Sequence, residues 1–170
     1  MKALFLIDLQ KEFCTKETEK VFDRIVKFVK TTDYKHVIAT MYENNEESAC
    51  YKMLNWKECM KGSTKLIKDI ERYSNLKIRK DTYSKCTEEL LQYVKENNIT
   101  ELHIMGVNTD ACVLATAFDL FENNIEFKVI EEFCASTEGE DIHQSAIKVM
   151  KSALGSKRVV TLEELYNEGK

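Results

Sequence analysis

Short apolar runs alternate with amphipathic stretches along this chain, and that alternation constrains its fold more than any other feature. Residues 2–7, 36–40, 76–79, 101–107, 126–130 and 158–160 read as strands. Residues 18–31, 64–73, 87–97, 110–122, 142–153 and 162–166 read as helices. In the first of these helices Val21, Phe22, Ile25, Val26, Phe28 and Val29 recur at helical spacing. Strands that alternate with helices predict an α/β fold with a mostly parallel sheet. Residues 41–63, which hold the single tryptophan, Trp56, follow neither period. An irregular connection of that length points to function.

A chain of 170 residues reads as a single domain, residues 1–170. At this size about 70% of the unfolded surface is buried on folding, so no covalent staples are needed. The net charge of −4 and the absence of a Lys/Arg block argue against a nucleic-acid partner. No apolar run approaches the roughly 18 residues of a membrane span, so no membrane partner is expected. The apolar start, residues 3–7, is too short for a signal-peptide core. The six cysteines form no Cys-x-x-Cys pair, which predicts reduced thiols and a cytoplasmic protein.

Ligand sites in open parallel sheets lie beyond the carboxyl ends of the strands, where strand order reverses. Asp8 closes the first predicted strand, Lys80 closes the third, and Cys112 follows the fourth. In a 3-2-1-4-5-6 order, Asp8 and Cys112 would face one crevice. Lys80 would stand two strands away, and spacing alone does not bring it there. Cys112 falls in the first turn of its helix, which Thr109 or Asn108 can cap. Free N–H groups and the helix dipole favour a thiolate there and can receive an oxyanion. Taken by itself, such a cysteine is more often a buried structural residue. His36 and His103 lie beside or inside strands and His143 starts a helix, and the spacing pairs none of them with Cys112.

Asp8-Leu9-Gln10-Lys11-Glu12-Phe13 resembles the Asp-x-Gln-x-x-Phe opening of the isochorismatase-like cysteine hydrolases. Lys80-Asp81-Thr82-Tyr83-Ser84 is similar to that family's Lys-x-x-Tyr-Ser segment, and residues 106–113 to its Gly-x-x-Thr-Asp-x-Cys-Val nucleophile segment. Cys134-Ala135-Ser136 and Val159-Val160-Thr161 also fit, so the resemblance spans nearly the whole chain in order.

This resemblance implies a three-layer, Rossmann-like α/β/α fold with a six-stranded sheet, and an Asp8–Lys80–Cys112 triad. It implies a cis peptide between Val107 and Asn108 and an oxyanion site made by the Asn108 and Cys112 N–H groups. The implied activity is cleavage of a C–N bond in a small amide, ureido or carbamoyl compound through a thioester. The competing readings are an isochorismatase-type vinyl-ether hydrolase and a non-catalytic binding protein. Relatives form dimers or tetramers, so a homo-oligomer is expected.

Nicotinamidases of the family bind a metal through an Asp-x-His pair after the second strand and a further His before a Cys. This chain has Tyr42-Glu43-Asn44 and Glu58-Cys59 at those places, so neither a metal nor any other cofactor is expected. Gln10, Phe13, Tyr42, Trp56 and Tyr83 are the candidate substrate-binding residues. Cys86 stands where the family often has an aromatic residue.

Overall fold

The structure is a computed structural model that describes residues 1–84 and 88–167. Its strands are β1 (Lys2–Ile7), β2 (Val37–Tyr42), β3 (Leu76–Lys80), β4 (Glu101–Val107), β5 (Phe127–Ala135) and β6 (Val159–Val160). They form one sheet in the order β3-β2-β1-β4-β5-β6, with every pair parallel. The helices are α1 (Glu19–Thr31), α2 (Ala49–Leu54), α3 (Lys68–Tyr73), α4 (Glu88–Glu96), α5 (Leu114–Glu122), α6 (Glu140–Leu154) and α7 (Leu162–Asn167). None of the described helices is long and apolar enough to cross a membrane.

Strand β1 is apolar throughout its buried length because both of its faces are covered. Ala3, Phe5 and Ile7 pack with Leu90 of α4, Ala117 and Leu120 of α5, and Ile147 and Met150 of α6. Leu4 and Leu6 point the other way, into a second core with Val21, Phe22, Ile25 and Val29 of α1, Ile70 of α3 and Leu165 of α7. The period of two in the strand and the stripe on α1 thus build the three layers together.

The elements differ from the expected bounds for local reasons. Strand β5 continues past Ile130 because its charged residues are satisfied outside the sheet. Glu131 accepts from Lys151 Nζ at 2.7 Å, and Glu132 Oε2 accepts from the Leu162 N–H at 2.6 Å. The helix expected from residue 64 starts only at Lys68, because Leu66 is paired to Gln10 in an antiparallel bridge. Residues 41–63 are less irregular than expected, since they complete β2 and contain α2. Ahead of α5 the chain makes a π-helical turn, Thr109–Val113, which carries Cys112.

Gly106 determines how closely the middle strands approach at their carboxyl ends. It pairs with Ile7 and has φ 137°. A Cβ there would lie 2.2 Å from the Ile7 carbonyl oxygen and 2.7 Å from its nitrogen. Only glycine fits between β4 and the last residue of β1.

Candidate active site

Asp8 follows β1 directly and turns the chain through the left-handed region, with φ 51°. Its side chain is completely buried. The Thr40 hydroxyl of β2 donates to Asp8 Oδ1 at 2.7 Å and accepts from the Asp8 N–H at 3.2 Å. Lys80 Nζ donates to Asp8 Oδ2 at 2.6 Å, and both side chains have no solvent exposure. Two strand spacings, about 10 Å, separate β3 from β1. The extended Lys80 side chain bridges that gap, passing its ammonium 5.2 Å from the centre of the Tyr42 ring. Lys80 Nζ also donates to the carbonyls of Thr82 at 3.2 Å and Tyr83 at 3.1 Å. The ammonium therefore holds down the segment that carries Tyr83.

The Cys112 thiol lies close enough to Asp8 and Lys80 for both to act on its ionisation. The structure thus brings the three residues of the expected triad together, including the one that spacing could not place. Burial would lower the pKa of Lys80, but the Asp8 carboxylate and Cys112 outweigh it and hold the ammonium above its ordinary 10.5. Burial and the Asp8 carboxylate push the Cys112 thiol well above its ordinary 9.0, and Lys80 offsets this only in part. This reverses the expectation that the helix N-terminus and Lys80 would hold the sulfur as a thiolate. Burial thus favours the protonated sulfur.

The nucleophile turn is anchored from two sides. The peptide between Val107 and Asn108 is cis. Neither Asn108 nor Thr109 caps the turn with its side chain. Asn108 instead exchanges two hydrogen bonds with Thr137 after β5, both at 3.0 Å. The Thr109 hydroxyl bonds His143 Nδ1 of α6 at 2.8 Å, and both residues are buried. Burial lowers the pKa of His143, which favours the neutral ring. Thr40, Thr137 and His143 were missed as site residues, because only the folded arrangement brings the first to Asp8 and the other two to the nucleophile turn.

Above Cys112 lies a cavity of about 340 Å³. Phe13, Tyr42, Trp56, Tyr83 and Asn108 line it, as does Cys112 itself. Phe13 and Trp56 stack with centroids 5.8 Å apart and planes 13° apart, and Tyr42 meets Trp56 edge-on at 5.6 Å. Gln10, expected at the substrate, is a correction: it is buried and does not line the cavity. Its amide nitrogen donates to the Tyr42 carbonyl at 2.9 Å and to Thr64 Oγ1 at 2.5 Å, and its oxygen accepts from the Tyr42 N–H at 2.7 Å. Gln10 is a clasp between the end of β2 and residues 64–66. Cys86 lies outside the described residues.

The stretch expected to lack metal ligands, Tyr42-Glu43-Asn44, is closed by an amide. Asn44 is buried, and its Nδ2 donates to the carbonyls of Trp56 at 2.8 Å and Glu58 at 3.1 Å. Its oxygen accepts from the Asn45 N–H and the Ser48 hydroxyl. Hydrogen bonds thus tie the two loops together, and Asn44 has no lone pair left to offer. Among the described residues no three His, Cys, Asp or Glu side chains are grouped as metal ligands. The donor set does not fit a divalent ion.

The curated protein "Isochorismatase family protein 2A" of Dictyostelium discoideum is 28% identical over 157 residues, covering 89% of this chain and 74% of that protein. An isochorismatase-like hydrolase from Alkaliphilus metalliredigens has the same fold, with a TM-score of 0.82, 19% identity and 99% of each chain covered. An N-carbamoylsarcosine amidase from Thermoplasma acidophilum superimposes with a TM-score of 0.77, 21% identity and 94% of each chain covered. The family profile of the isochorismatase domain matches residues 2–164, nearly the whole sequence, and the chain belongs to the isochorismatase family of hydrolases.

Proposed function

We propose that this hydrolase is a metal-free cysteine amidohydrolase acting on a small amide, ureido or carbamoyl compound. The observation that carries the reading is the buried Asp8–Lys80 ion pair, 2.6 Å long, whose charges act on a thiol that lines a cavity. A fully buried pair costs desolvation and is weak evidence for stability, so a chemical role accounts better for its position.

When an amide binds, Asp8 takes the thiol proton and the Cys112 sulfur attacks the carbonyl carbon. The Lys80 ammonium stabilises the charge that moves onto sulfur. The tetrahedral oxyanion rests on the Asn108 and Cys112 N–H groups. Protonated Asp8 passes its proton to the leaving nitrogen, and the C–N bond breaks to give a thioester. Water, activated by Asp8, hydrolyses the thioester and restores the thiol. The high thiol pKa fits this order, because the proton leaves sulfur only as the new bond forms. Amide chemistry is also the activity named for the Thermoplasma acidophilum structural relative.

Cys112→Ala is expected to lower ammonia release from any accepted amide at least about a thousandfold. Wild-type enzyme is expected to show an acyl adduct on Cys112 by mass spectrometry. Undiminished turnover by the variant would overturn the reading, and turnover of isochorismate by it would favour vinyl-ether chemistry instead. The same reading takes the protein as cytoplasmic, where its described thiols stay free, and as a dimer or tetramer, which light scattering would measure.

A further inference from the structure

The cavity above Cys112 is lined by four acidic residues, Glu12, Glu58, Asp110 and Glu138, and by no lysine, arginine or histidine among the described residues. The chain as a whole has 25 Lys and Arg against 29 Asp and Glu, so a wall of acids alone is not a sample of the average composition. The Lys80 ammonium, which does not line the cavity, is already paired with Asp8.

Two of the acids are incompletely satisfied. Glu12 Oε2 and Asp110 Oδ1 are buried and have no hydrogen-bond partner among the described residues. Oxygens of this kind are normally paired, because desolvating them without a partner is costly. The rings of Phe13, Tyr42, Trp56 and Tyr83 line the same cavity. Aromatic faces attract cations through the ring quadrupole, most strongly where water is excluded. Acids, rings and the lack of a basic residue all favour a positively charged occupant, and they disfavour a carboxylate.

We propose that the amide taken by this site carries a fixed positive charge, an ammonium or guanidinium group a few bonds from the scissile carbonyl. The charge would lie among the rings and the Glu58 and Glu138 carboxylates, with the carbonyl above the Cys112 sulfur. The proposal rests on the amidohydrolase reading for its chemistry but not for its recognition. It also disfavours isochorismate, a dicarboxylate, as a substrate.

Three amides of similar size separate the outcomes: glycine betaine amide, its neutral isostere with tert-butyl in place of trimethylammonium, and the anionic half-amide of malonic acid. Calorimetry with Cys112→Ala measures binding without turnover. The cation is expected to bind about tenfold more tightly than the isostere, and the gap to narrow as salt screens the charges. In Glu58→Gln/Glu138→Gln, both of whose sites are exposed, the ratio is expected to fall towards one. Equal binding of the isostere, tighter binding of the anion, or no binding of the cation at millimolar concentration overturns the proposal. Selective binding of the cation, with no ammonia released from it by the wild type, keeps the proposal and sinks the amidohydrolase reading.

Discussion

Asp8 holds a conformation that asparagine also tolerates, φ 51°, so Asp8→Asn removes the charge and keeps the turn. The variant is expected to fold and to lose about a hundredfold or more in kcat, the usual contribution of a proton-transfer group. The Asp8 carboxylate is one of the causes that raise the Cys112 thiol pKa. Its loss is therefore expected to shift the pH profile of Cys112 alkylation to lower pH, as followed by mass spectrometry. An unchanged profile would contradict the electrostatic account of the site. At this scale Asp8, Lys80 and Cys112 were all legible as strand-end residues, whereas the approach of Lys80 to the other two came only from the resemblance. The Gln10 clasp was not legible, because its partners are backbone groups of residues distant in sequence. Nor was the upward push on the Cys112 thiol, since the burial behind it comes from packing rather than from neighbours along the chain.

At the level of elements, the approach of β1 and β4 depends on a residue with no side chain. Gly106→Ala would drive a methyl group into the Ile7 backbone at a φ unsuited to alanine. The expected cost is at least about 2 kcal/mol, read from the urea midpoint, with activity lost because Asp8 and the nucleophile turn separate. Strands and helices with one dominant period were read well, as β1, α1 and β4 show. Boundaries were missed where a tertiary partner overrode local pattern. Glu131 and Glu132 looked like a strand end, but the partners supplied by Lys151 and Leu162 let β5 run on to Ala135. The loop around Asn44 was read for metal ligands alone. That its amide joins the loops instead was visible only in the hydrogen bonds.

Across the whole molecule several buried acidic groups resist ionisation. Burial raises the thiols of Cys59 and Cys134 to about 12 and raises the Tyr34 and Tyr42 phenols above their ordinary values. Between pH 9 and 12 the unfolded chain loses protons from the two thiols that the native state keeps, so stability must fall as pH rises. Each such group contributes a slope of up to about 1.4 kcal/mol per pH unit. Urea titrations across this range should show the midpoint falling, and a midpoint that stays level would refute the assignment. The strand order has a separate consequence for biosynthesis. Of the six strands β1 leaves the ribosome before the other five, yet it is an inner strand of the finished sheet, and Lys2 must wait for Glu101 before its second edge is covered. Until then an apolar ribbon with open hydrogen-bonding groups stays available to other chains. Nascent chains stalled before β4 should therefore be far more prone to aggregation, and more dependent on chaperones, than those stalled after it.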